Sequence, residues 1–161
     1  MAREWTPAGL HQFVGDSIIC KFVRPGLKAI DLGSGGRAMA ERMQSLGCDV
    51  IAADITANGY EARVPHVEID FNQSDFASIL GVNKYGLITA IEVIEHLENP
   101  ISFLRNIRRM LSAGGVAVIS TPNVDSLPAR LRFFLNGTIR MMDDQGEPTH
   151  ISPIFFDLFL L

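Results

Sequence analysis

Apolar residues along the chain fall into two alternating patterns, one spaced near 3.6 residues and one of short unbroken runs. Leu10, Phe13, Val14, Ile18 and Phe22 keep the helical spacing and predict an amphipathic helix over residues 8–23, ended by Pro25 and Gly26. Lys28–Leu32 is a short apolar run carrying Asp31 and closed by Gly33-Ser34-Gly35-Gly36. Helical spacing then returns at Met39, Met43 and Leu46 until Gly47. A second run, Val50 to Ala53, ends at Asp54 and completes a β-α-β unit. A third strand fits Val67–Ile69 ahead of Asp70, a short helix fits Asp75–Leu80, and a fourth, strongly apolar strand fits Leu87–Ile91. Unbroken runs of this kind mark parallel strands buried on both faces.

Further on, Asn99 suits a helix cap and Pro100 the first helical position. Ile101, Leu104, Ile107 and Leu111 form one stripe, and Gly114-Gly115 ends the helix. Arg108 and Arg109 fall near its last turn, where positive charge complements the helix dipole. Val116–Thr121 is a fifth strand closed by Pro122. Pro128–Leu135 reads as a short helix, 136–149 as polar and turn-rich, and Pro153–Leu161 as a last helix. The phenylalanines of these two helices are expected on packing faces. Strands alternating with helices specify a parallel sheet covered on both sides, with a ligand crevice at the carboxyl ends of the strands. Asp31, Asp54, Asp70 and Glu92 each stand at or just past such an end, so one crevice gathers four acids.

A chain of 161 residues is read as a single domain, 1–161, with 1–26 as its helical N-terminal segment. At 47% hydrophobic, 20% charged and a mean hydropathy of +0.19, the composition is globular rather than disordered. Fourteen Lys and Arg against eighteen Asp and Glu leave a net charge of −4, which argues against a polyanion binder; a nucleic acid partner would need a local basic patch. Cys20 and Cys48 are too few and too far apart for a disulfide framework or a Cys-rich zinc site. The N-terminus lacks the pattern of a signal peptide and no apolar run reaches the length of a membrane span, so a cytoplasmic protein with no membrane partner is expected.

Gly33-x-Gly35-x-x-Ala38 matches the dinucleotide fingerprint, and Asp54 lies at the distance of a ribose-binding acid. Asp31, two positions before the first glycine, discriminates. It would repel a pyrophosphate at this turn and favour the ammonium and sulfonium of S-adenosylmethionine. Together these residues resemble the class I S-adenosylmethionine-dependent methyltransferases. Ala29-Ile30-Asp31-Leu32-Gly33-Ser34-Gly35 looks like that family's first motif, Ala53-Asp54-Ile55 like its ribose acid and Ile69-Asp70-Phe71 like its adenine segment. Ile91-Glu92-Val93-Ile94-Glu95-His96-Leu97 before Asn99-Pro100 is similar to the subgroup that includes quinone and sugar methyltransferases.

The resemblance implies an α/β Rossmann-like sandwich with sheet order 3-2-1-4-5 and S-adenosylmethionine as cofactor. Asp54 would take the ribose hydroxyls, and Asp70 the adenine amino group with Phe71 beside the ring. Asp31 with Gly33 and Gly35 would hold the methionine end, and Ile91 and Glu92 would border the transfer site. The acceptor implied is a small-molecule or sugar hydroxyl, with His96 and His150 as candidate bases. Three departures stand out: Arg37 where the family has another glycine, Gly86 where an aspartate commonly opens the fourth strand, and a chain that stops before the sixth and seventh strands. A shortened form of a longer protein is therefore expected, with a homodimer contact through the apolar C-terminal segment as one possible cover for it. Two other readings remain open. Glu92, Glu95, His96 and His150 resemble the constellation of metal-assisted methyltransferases of RNA 3′-terminal ribose, and a cofactor-binding module completed by a partner would use the same fold. No metal is expected, because backbone amides can satisfy such acids.

Overall fold

The computed structural model describes residues 9–56, 64–142 and 148–157. Five strands, β1 (Lys28–Leu32), β2 (Asp49–Asp54), β3 (His66–Glu68), β4 (Tyr85–Ile91) and β5 (Leu111–Ser120), form one parallel sheet in the order β3-β2-β1-β4-β5, as expected. Five α-helices connect or flank them: α1 (Leu10–Ser17), α2 (Ala38–Ser45), α3 (Phe76–Leu80), α4 (Pro100–Met110) and α5 (Leu127–Asn136). No helix among the described residues is long and apolar enough to cross a membrane.

Strand alternation divides the core into two layers. Ala29, Leu87 and Ile91 pack with Val14, Met39 and Met43 of α1 and α2. Ile30, Leu32, Ile88 and Ala90 pack with Phe76 of α3 and Phe103 and Ile107 of α4. Asp31 and its register partner Thr89 alternate onto the first of these faces, both buried.

The structure corrects several expectations. The first helix stops at Ser17 and tightens into a 3-10 turn over Ile19–Lys21, which turns Ile19 fully into the core while Phe13 and Phe22 stay exposed. Ile18-Ile19 are β-branched and weak at continuing a helix. Residue 8 of that expected helix, with 1–7 before it, lies outside the described residues. The third strand sits one residue earlier than expected. Helix α4 ends at Met110 rather than at Gly114-Gly115, because Leu111 already pairs with Tyr85. The two glycines instead form a bulge, where register passes from Tyr85↔Leu111 to Leu87↔Val116. Gly114 has φ +71°, and a Cβ at Gly115 would stand 2.8 Å from the Tyr85 carbonyl oxygen.

The buried face of α4 is also rotated. Phe103, Asn106, Ile107 and Met110 face the core, and the expected stripe member Ile101 is exposed. The Pro153–Leu161 helix is absent over 153–155. That stretch has no regular secondary structure and places Ile154 in the core, while Leu158, Phe159, Leu160 and Leu161 fall outside the described residues. Phe133, Phe134, Phe155 and Phe156, expected on packing faces, are all exposed.

Asn106 is a polar residue placed inside this packing. Its Oδ1 accepts from the Ala77 N–H at 3.0 Å, and its Nδ2 donates to the carbonyls of Ser74 at 3.2 Å and Ser102 at 3.0 Å. It thereby holds the N-terminus of α3 onto α4. Asn106→Ala strands those buried groups and is expected to lower the unfolding free energy by about 2–3 kcal/mol in urea titrations.

Candidate functional site

The carboxyl ends of β1, β2 and β4 open into one cleft. Of the residues expected at a site, Gly33, Asp54, Asp70, Phe71, Glu92 and His96 line it, and Ile55, Asn72, Val93 and Leu97 complete the wall. Gly33, at φ +71°, lets the turn after β1 press against the segment after β4, since a Cβ there would lie 2.3 Å from Val93 Cγ2. The next turn is tied to β2 by the Gly35 N–H, which donates to Asp54 Oδ2 at 2.8 Å. Asp54 Oδ1 takes the Thr56 N–H at 3.2 Å and its hydroxyl at 3.4 Å. A carboxylate offers about four acceptor sites, so Asp54 keeps capacity for a ligand hydroxyl. Arg37 adopts φ +63°, the left-handed backbone conformation glycine favours, and opens α2 from there.

Asp31 lies beneath the cleft rather than on its wall. Its carboxylate is buried and accepts from the Thr89 hydroxyl at 2.6 Å. Burial raises its pKa from 3.8 to about 7, helped by the Asp54 charge and opposed by Thr89 and the Ala40 N–H. Ile91 is buried in the core beside it in the sheet and does not line the cleft.

Asp70 closes an Asx turn, its Oδ1 accepting from the Asn72 N–H at 2.9 Å. The Phe71 ring reaches the cleft but packs edge-on to Phe76 and Phe103, with centroids 5.3 and 5.7 Å away. Glu92 follows β4 at φ +55°, a conformation rare outside glycine and held here by Ser120. Its N–H reaches the Ser120 carbonyl and hydroxyl, and that hydroxyl donates to Glu92 Oε1 at 2.8 Å. This backbone conformation precedes the 3-10 turn Ile94–His96, and the ligand atoms that converge within 4.8 Å are those of Glu95, His96 and His150, without Glu92.

Glu95 and His96 sit in the 3-10 turn Ile94–His96, and a distant segment docks on that turn. The N–H groups of Ile151 and Ser152 both donate to the Glu95 carbonyl, at 3.0 and 2.9 Å, and the Ser152 hydroxyl donates to the Leu97 carbonyl at 2.6 Å. His96 and His150 meet edge to face, with centroids 4.7 Å apart. Each is oriented through Nδ1 by a backbone carbonyl, Thr149 for His96 at 3.1 Å and Met141 for His150 at 2.9 Å. The Glu95 carboxylate is fully buried, and its own N–H and the Thr121 hydroxyl approach it without reaching good hydrogen-bond geometry. Burial raises its pKa from 4.5 to about 7. Its own N–H opposes this, the Glu92 charge adds to it, and Thr121 opposes it more weakly.

Sequence reasoning assigned no role to Thr89, Ser120, Val93 or Asn72. Thr89, Ser120 and Asn72 each bond a named acid, and their only signal in the sequence was a polar residue within or after an apolar strand; Val93 packs against Gly33 and left no such signal.

The arrangement is that of a class I methyltransferase sandwich. Residues 11–156 match the family described as "Methyltransferase domain", and the chain belongs to that family. A ubiquinone biosynthesis O-methyltransferase of Cereibacter sphaeroides (strain ATCC 17025 / ATH 2.4.3) is 30% identical over 149 residues, covering 76% of this chain and 60% of that protein. One from Caulobacter sp. (strain K31) is 27% identical over 148 residues, covering 76% and 59%. The chain thus spans about 60% of the length of these curated relatives. The fold is shared with an S-adenosylmethionine-dependent methyltransferase of Archaeoglobus fulgidus, at a TM-score of 0.70 and 18% identity over 93% of this chain and 65% of the other. S-adenosylmethionine is the cofactor of this class.

Asp31 links the site to stability. In the unfolded chain it ionises near 3.8, whereas in the folded protein it keeps its proton to about 7. Between those values the folded state binds the extra proton, so stability falls as pH rises. The full cost, on the order of 4 kcal/mol, is present above the folded pKa. Asp31→Asn is expected to flatten the decline in urea midpoint between about pH 5 and about pH 8. A variant as pH-sensitive as the parent would show that another group causes the decline.

Proposed function

We propose that this chain transfers the methyl group of S-adenosylmethionine to the hydroxyl of a small molecule or sugar by in-line displacement. The observation that carries the reading is the charge of the cleft. Asp54, Asp70 and Glu92 line it, Asp31 lies beneath it, and no lysine or arginine stands among the described lining residues. A pyrophosphate is opposed by such a wall, whereas an ammonium and a sulfonium are favoured. Asp54 takes the ribose hydroxyls, Asp70 the adenine edge with Ile55 and Phe71 beside it, and the Gly33–Gly35 turn the methionine end, with Asp31 supplying charge from below.

The acceptor oxygen attacks the methyl carbon, the carbon–sulfur pair returns to sulfur, and S-adenosylhomocysteine leaves. Because the sulfonium is already activated, the protein mainly aligns the reactants and excludes water. The acceptor's proton passes to His96 on the cleft wall, with His150 stacked against it. The resemblance to enzymes named for O-methylation in ubiquinone biosynthesis supports an oxygen acceptor. The unpaired cysteines, exposed Cys20 and buried Cys48, fit a reducing compartment such as the cytoplasm.

S-adenosylhomocysteine in roughly hundredfold excess over its Kd is expected to stabilise the protein by about 2.7 kcal/mol, a rise of several degrees in Tm. NAD is expected to do nothing. Asp54→Ala is expected to weaken the nucleotide's effect at least tenfold in concentration. Transfer of labelled methyl to a panel of phenols, catechols and sugars tests the second half. Cofactor binding with no transfer to any of them would favour the partner-completed module instead.

A further inference from the structure

A second pocket lies between α5 and the segments around Ile139 and Phe155, and it shares no lining residue with the cleft. Val124, Ala129, Phe133, Ile139 and Phe155 give it an apolar body, while Asp125, Arg130 and Arg140 supply its charged groups. We infer that this pocket binds a small carboxylate whose apolar body is a single ring. The inference does not depend on the methyl-transfer reading.

Size limits the occupant. The cavity volume is about 170 Å³, close to the roughly 150 Å³ of an apolar cavity that takes up benzene. Val124 and Ala129 are buried, whereas the rings of Phe133 and Phe155 remain 55% and 46% exposed. Two large rings left half in water beside a hollow lose that exposure when a third ring enters, and aromatic pairs add preferred packing geometry. The walls are fixed before any ligand arrives. Ser126 caps α5, its hydroxyl accepting from the Ala129 N–H at 3.4 Å, and the Phe156 N–H ties the chain beyond Ile154 to Asp125 Oδ2 at 2.9 Å. A preformed hollow spares the ligand the cost of ordering its walls.

Charge decides which kind of ring. Asp125 is the one acid among the lining residues, and it is already engaged. Beside its bond from the Phe156 N–H, its Oδ1 takes Arg130 Nη2 at 3.4 Å, and its carbonyl takes Arg130 Nε at 2.8 Å. Arg140 has no such partner among the described residues. Two guanidiniums against one carboxylate leave the lining with a single positive charge, which one negative charge on the ligand matches. The planar fork of Arg140 can give two parallel N–H donors to a carboxylate, a geometry that no amine or neutral ring can use. Arg140 also precedes Met141, whose φ is +69° and whose carbonyl orients His150 at 2.9 Å. A carboxylate fastened to Arg140 therefore steadies the turn that holds His150 against His96.

The test is titration of the full chain with phenylacetate, followed by calorimetry and by the methyl NMR signals of Val124 and Ile139. One molecule per chain is expected, with a Kd of millimolar or tighter and both signals moving to saturation. Phenylacetamide, its uncharged isostere, is expected to bind about tenfold more weakly. Arg140→Gln is expected to weaken phenylacetate about tenfold and to leave phenylacetamide unchanged, whereas Phe133→Ala weakens both. Both side chains are exposed, so neither substitution threatens the fold. Saturating S-adenosylhomocysteine is expected to leave phenylacetate in place; displacement would put the acid in the cleft and overturn the inference. Binding that does not saturate in the millimolar range, equal affinity for the acid and the amide, or undiminished binding of the acid by Arg140→Gln would each overturn it as well.

Discussion

The central strand β1 is paired on both sides, and its register fixes where the charges of the site stand. Asp31 lies opposite Ala52 on one side and Thr89 on the other, and Leu32 lies opposite Ala53 and Ala90. All three strands therefore stop at nearly the same level. The turn that leaves β1 meets Asp54 from β2 and Val93 from beyond β4 within three residues of the strand end. A slip of one residue would put Asp31 into the opposite apolar layer and separate it from Thr89. The cleft is in this sense a product of strand pairing, with the loops fastened afterwards.

Acids around the cleft belong to two electrostatic populations. Asp54, Asp70 and Glu92 line it and accept hydrogen bonds from N–H groups or hydroxyls. Asp31 and Glu95 are buried near it, and low solvation keeps each partly protonated near neutrality. A cation arriving above Asp31 recovers the cost of ionising it, so part of any binding energy is drawn from a strained ground state. Such a site discriminates by charge before it discriminates by shape.

The strand ends were legible in the sequence because parallel strands covered on both faces need unbroken apolar runs, and the acid ending each run marks the edge of the sheet. Helix faces were less legible. In α4 the expected stripe was correct in period but rotated, because Phe103 is larger than Ile101 and because Asn106 is needed inward to satisfy α3. Gly114-Gly115 carries the same letters whether it stops a helix or forms a bulge, and only the pairing of Tyr85 decides between them. Asp54, Asp70 and Glu92 reach the cleft from the strand ends and Asp31 does not, and the states of these acids were not readable. Burial of Asp31 depends on Thr89, and the turn of Glu92 depends on Ser120, twenty-eight residues away. The meeting of His96 with His150 depends on a docking segment for which local pattern gives no signal.

That docking segment bears on how the protein is made. The sheet has all five strands once Ser120 has left the ribosome, and the cleft-lining acids are already in the chain by then. Yet the turn that carries Glu95 lacks the bonds to its Glu95 and Leu97 carbonyls until Ile151 and Ser152 have been synthesised and have reached back to it. For the time needed to translate that segment, the turn carrying Glu95 and His96 stands undocked beside a finished sheet. A chaperone or a ligand acting during synthesis would meet the site in that undocked form.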